Sequence, residues 1–192
     1  VYNANIVTMS YGGFNTYNDG SEEECQAVDY AFSKGAVAFI SAGNEADSSL
    51  HYSGTVTANS TTDYIKVNVG STTQTLLYFY LNWFDGKGVN NNLDISLYDT
   101  NKNEMSTVPR FQAAESPRGT EAELIYLNAY ITGPATYYMK VKNNANSSQV
   151  FHIYSFYSDV IFENADPGYT VGSPATADNA IAVASYVTRP AW

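Results

Sequence analysis

The stretch "AVAFISAGNEADSS", residues 36–49, decides how the rest of this 192-residue chain is read. An apolar run ends abruptly in Ser41-Ala42-Gly43-Asn44, and the chain then turns polar. A short, continuous apolar run predicts a strand covered on both faces, as in parallel sheets. Upstream, "ANIVTMS" (4–10) is a second such run, closed by Gly12-Gly13. Between them "SEEECQAVDYAFSKG" has Cys25, Val28, Ala31 and Phe32 at helical spacing. Ser21 with Glu24 has the form of a capping box, and Glu22, Glu23 and Glu24 complement the helix dipole. Together these pieces predict a βαβ unit with a right-handed crossover. Asn44 is then either an ordinary loop residue or an amide donor set at the edge of a site.

From about residue 49 the texture changes. "DYIKVNV", "TLLYFYLNWF", "LDISLYD", "AELIYLNAYI", "ATYYMKVKN" and "QVFHIYSFYS" are alternating or aromatic runs, parted by clusters such as "DGKGVNNN" and "KNNANSS". Regular short strands with turn signals predict an antiparallel sandwich or jelly roll. The tyrosines fit half-buried strand positions, and a carbohydrate-stacking platform is the alternative. At the end "AIAVAS" (180–185) returns to the first texture. The expected fold class is therefore an α/β parallel sheet, residues 1–48 and 168–192, interrupted by an inserted all-β sandwich at 49–167.

A formal net charge of −10 excludes a nucleic-acid partner, since phosphates demand clustered Lys and Arg. No run of about 20 apolar residues exists to span a membrane. Cys25 stands alone, so no internal disulfide is expected, and its helical position suits a buried structural thiol. No Cys or His spacing suggests zinc. Seventeen tyrosines beside 15% charged residues fit an extracellular β-rich protein. The chain starts Val1-Tyr2-Asn3, without methionine or the basic and apolar regions of a signal peptide, and is expected to be a piece of something longer.

"ANIVTMSYGG", "AVDYAFSKG", "AVAFISAGNE" and "GSPATADNAIAVAS", in that order, resemble the middle of a subtilisin-like serine protease catalytic domain. The resemblance covers roughly the first 48 and last 25 residues. It implies that the Asn44 side-chain amide belongs to the oxyanion hole, where it would meet negative charge on the former carbonyl oxygen. It implies that Ser10, Tyr11 and Gly12 offer a backbone edge on which a peptide lies as an added strand, with Tyr11 walling a subsite. Ser41, Ala42 and Gly43 would line the pocket for the residue before the cleaved bond. The bland alternative makes Gly12-Gly13 only a turn. The family's Gly-Thr-Ser nucleophile motif and its Asp and His motifs are absent from this sequence. The histidines, His51 and His152, fall in sandwich-like sequence. The missing triad is expected before Val1 and after Trp192, which leaves this chain inactive by itself.

"LDISLYDTNKNE" and "AELIYLNAYITGPATYYMKVKN" resemble the bacterial pre-peptidase C-terminal domain, with Ala135-Thr136-Tyr137-Tyr138 replacing its Gly-Thr-Tyr-Tyr element. Asp94 and Asp99 are candidate calcium ligands, but two acids without a ligand-rich loop read as turn residues, so neither a metal nor a cofactor is expected. The sequence thus leads to a fragment of a secreted or cell-surface bacterial endopeptidase. Its partners would be a peptide or protein substrate and the remainder of its own catalytic domain, with self-association through uncovered sheet. The rival is a non-catalytic module in which the sandwich binds protein or glycan on an α/β scaffold.

Overall fold

The computed structural model describes residues 4–70, 75–89, 91–131 and 133–185. The chain divides into two compact units, Val1–Asn44 with Val171–Trp192, and Glu45–Thr170. By content it is mostly β, 43% strand and 6% helix, in three sheets with one helix among the described residues. This corrects both the expected α/β fold class and the resemblance to a subtilisin-like catalytic domain. An α/β domain covers both faces of its parallel sheet with helices. Here the one described helix covers one face of three strands, and antiparallel sheets hold most of the strand residues.

In the first unit, β1 (Ile6–Met9), β2 (Val37–Ser41) and β12 (Ala180–Val183) form a parallel sheet in the order β1-β2-β12. Side chains alternate across it. Ala38 and Ile40, with Val7, Met9 and Ala180, pack against Cys25 and Val28 of α1 (Glu23–Ser33). Ile6, Phe39, Ile181 and Val183 stand on the other face and are exposed. The helix starts differently from the capping-box expectation. Its N-cap is Glu22, which makes no side-chain cap bond, and the Ser21 hydroxyl is buried without a partner. The Glu22 carboxylate turns back instead to accept the Tyr17 and Asn18 N–H groups, 3.3 and 2.6 Å. The Cys25 thiol is fully buried 3.3 Å from the Ser173 hydroxyl, and burial pushes its pKa up, as befits a structural thiol.

The second unit is a sandwich. One sheet runs β3 (His51–Val56), β10 (Gln149–Ser155), β5 (Thr75–Phe84), β8 (Thr120–Ile131) and β7 (Arg110–Gln112). The other runs β11 (Val160–Phe162), β4 (Ile65–Val69), β9 (Ala135–Asn143) and β6 (Leu93–Tyr98). All their pairings are antiparallel. Strand alternation builds the core: Leu77, Phe79, Leu81 and Trp83 of β5 face Val67, Ile95, Met139 and their neighbours. The entry and exit of this unit are tied together, Phe162 N–H donating to Ser49 O and Asp166 N–H to His51 O, each at 2.9 Å.

The β6 edge is closed by side chains from the opposite sheet. Glu123 accepts the Ile95 N–H at 2.8 Å, and Arg110 donates to Ile95 O at 3.2 Å. A buried carboxylate and a guanidinium thus occupy backbone groups that an edge strand would otherwise offer to another chain. Burial raises the Glu123 pKa from 4.5 to about 7. A carboxyl whose folded pKa is raised stabilises fully below its unfolded pKa, and that contribution is lost as pH rises from 4.5 toward 7. Between pH 5 and 8 the loss is on the order of 2 kcal/mol. Glu123→Gln keeps an acceptor for Ile95 and cannot ionise, so thermal melts should show its stability falling less over that range than wild type. An equal fall in both would contradict this reading of Glu123.

Candidate functional site

In an open parallel sheet, ligands bind beyond the carboxyl ends of the strands. Here β1 ends into Ser10, β2 into Ala42-Gly43-Asn44 and β12 into Ala184-Ser185. These ends border a depression of about 430 Å³, lined at its rim by Ser10, Ser41, Gly43, Asn44 and Ser185 and on the sheet side by Phe39. Ala42 N–H donates to Val183 O at 3.0 Å, so the β2–β12 pairing continues one residue past the strand. Gly43 then turns the chain with φ +108°, a conformation open to glycine and strained for other residues. Its N–H lies 3.4 Å from the Ser41 hydroxyl. The sharp exit leaves Asn44 exposed at the lip.

Ser10, Tyr11 and Gly12 follow β1 outside any strand and are exposed, Tyr11 at 63%. The segment is pinned just beyond, where Gly13 and Ser173 exchange backbone bonds of 3.1 and 2.9 Å. That crossing is tight: a Cβ on Gly172 would stand 2.4 Å from Gly13 O. Gly172→Ala is therefore expected to push the two segments apart and destabilise by about 1–3 kcal/mol, read as a lowered Tm. A Tm unchanged from wild type would contradict the crossing.

Ser10, Ser41, Gly43 and Asn44, singled out in the sequence, thus line one depression, and Ala42 holds the strand beneath it. Tyr11 instead borders an apolar groove of about 330 Å³ against α1, with Val7, Met9, Ala27 and Val28. Sequence reasoning missed Val183 and Ser185 as lining residues. The signal was available, because parallel strands all end at the same edge of a sheet. Among the described residues no acid, base, histidine or cysteine lines the depression. Its described lining therefore offers hydroxyls, backbone groups and one amide, with no imidazole or carboxylate to take up a proton.

The calcium candidates take other roles. Asp99 accepts the Asn101 and Asn103 N–H groups, both at 2.8 Å, and so ties its own turn. Asp94 accepts the side-chain amides of Asn92 and Asn144. Among the described residues no group of three or more His, Cys, Asp or Glu could hold a metal ion. No described helix is long and apolar enough to cross a membrane.

No family model matches the chain, including any for the sandwich family resembled in the sequence. No curated protein matches it. Among solved structures, the Clostridium perfringens CspB protease is similar, with a TM-score of 0.73 at 17% identity over 95% of this chain. The matched region is 41% of that protein's length, so the chain corresponds to under half of it. At this identity the likeness shows a shared fold. The chain therefore has the fold of part of a protease, and its family is not given by the match.

Proposed function

We propose that the parallel-sheet unit is the peptide-binding and oxyanion-stabilising part of a secreted serine endopeptidase whose nucleophile and base lie outside this chain. The observation that supports this most is the convergence of Ser10, Ser41, Gly43 and Asn44 on one depression without a titratable lining. An extended peptide would lie against the backbone of Ser10, Tyr11 and Gly12 as an added strand. The side chain before the cleaved bond would enter beside Ser41, Ala42 and Gly43, where small residues permit close approach. The Asn44 amide would donate to the carbonyl oxygen as it gains charge. A neutral donor held at that strand end would meet the charge with little reorganisation.

Two expected results follow from this reading. Alone, the chain should neither cleave casein nor react with a serine-directed fluorophosphonate, because its depression lacks a base to activate a hydroxyl. Labelling of one serine with turnover would overturn this division of labour. The chain should still bind a fluorescent acyl-tetrapeptide carboxylate, whose charged end resembles the oxyanion. Asn44→Ala should weaken that binding on the order of 10- to 100-fold, the worth of a hydrogen bond to a charged group. Equal affinity in the variant would contradict the role of Asn44.

A further inference from the structure

His51 and His152 lie outside the site described above, and the sandwich brings them together. His51 is fully buried on β3, and His152 lies on the neighbouring strand β10. His51 Nε2 stands 3.0 Å from His152 Nδ1, and His51 Nδ1 stands 3.0 Å from Asp166 O. The rings are sandwiched by tyrosines: His51 stacks on Tyr154 at 4.7 Å between centroids, and Tyr169 covers His152 at 4.7 Å. The same segment is fastened by Asp166 N–H to His51 O, by the Ser53 hydroxyl to the Asp166 carboxylate, and by Tyr154 OH to Tyr169 O.

We propose that the His51–His152 pair is an acid-released clasp on residues 166–169, the segment by which the chain leaves the sandwich.

The hydrogen bonds set the protons. Asp166 O can only accept, so His51 Nδ1 carries hydrogen. In neutral His51 the Nε2 is then bare and accepts from His152 Nδ1–H. One added proton can be shared: His51 Nε2–H donates once His152 shifts its own hydrogen to Nε2. A second added proton sets Nε2–H against Nδ1–H at 3.0 Å, and the pair must part.

The groups around the pair are few. The exit segment brings Asp166 and Tyr169, β10 brings Tyr154, β3 brings Ser53, and β5 sets Tyr80 opposite Tyr154 and Asn82 opposite His152. Asp166 favours a proton on the pair, but its own pKa is held low by the Ser53 hydroxyl, so it stays ionised as the histidines titrate. Burial dominates and lowers both imidazoles, His152 from 6.5 to about 4. Groups whose folded pKa is depressed bind fewer protons when closed. The clasp is therefore at full strength above about pH 6.5 and is lost as pH falls toward 4.

Amide hydrogen exchange on the whole chain, corrected for intrinsic rates, tests this. Between pH 7.5 and 4.5 protection of the Asp166 amide should fall on the order of fiftyfold, while the Val67 and Met139 amides of the other sheet fall far less. His152→Phe keeps a ring against Tyr169 and cannot take the second proton, so most of that loss should vanish. A pH-independent Asp166 amide, an equal fall throughout the sandwich, or an unchanged fall in His152→Phe would overturn the proposal. Should that variant not fold, the wild-type histidine resonances decide. Two coupled midpoints below 6.5 support the clasp, and two independent titrations near 6.5 overturn it.

Discussion

In an endopeptidase that carries this chain as its oxyanion-bearing part, Asn44→Ala should lower kcat by about 10²–10³ and leave KM nearly unchanged. The amide meets charge that exists mainly in the transition state, so its loss falls on the chemical step and spares ground-state binding. Asn44 is exposed at the lip of the depression and lies beyond β2, so its truncation should leave the packed sheet intact. Parallel melting curves would separate the two effects. An equal rise in KM would mean that Asn44 only binds substrate, and an unchanged kcat would remove it from the chemistry.

Trp83→Ala should destabilise the sandwich by about 3–5 kcal/mol, a large share of the 5–15 kcal/mol that holds a domain together. Trp83 is 1% exposed at the inner face of β5, and its indole N–H donates to Asn91 O at 2.9 Å. Truncation leaves a cavity in the core cluster and an unsatisfied carbonyl at its end. Chemical denaturation followed by far-ultraviolet dichroism would measure the loss. A change below about 1 kcal/mol would mean that the two sheets do not depend on this contact.

Strands with their own periodicity were the legible part of the fold. β4, β6 and β9 alternate buried Ile, Val, Leu and Met with outward Lys, Ser, Tyr and Asn, and each falls within a run read from sequence. β3 was missed because His51, Ser53 and Gly54 are poor strand formers, held in place by pairing along β10. Gly54 even requires its lack of a side chain, since a Cβ there would meet the Phe151 ring at 2.7 Å. β7 and β11 have three residues each, too short for a periodic signal. The α/β class was overread from two flanking pieces, one helix and three strands, when most of the strand residues lie in antiparallel sheets.

The lining of the candidate depression was partly legible for a related reason. "SAGN" at a strand end marks a sharp turn beside small residues, and Ser10 follows the neighbouring strand. Val183 and Ser185 were legible too, since "AIAVAS" reads as a strand of the same parallel sheet and must end at the same edge, but no local motif marks them. The histidine pair was invisible because its members lie 101 residues apart and meet only through the β3–β10 register.

On the proposed function, an extended peptide should bind at the strand ends of the parallel sheet with its terminal charge on Asn44. Backbone amide shift mapping of the labelled chain, titrated with an acyl-tetrapeptide carboxylate, tests it most directly. Shifts concentrated at Ser10, Tyr11 and Gly12 and at Ser41 through Asn44, with affinity reduced in Asn44→Ala, are predicted. Shifts confined to the sandwich, or no saturable shift at the strand ends, would contradict it.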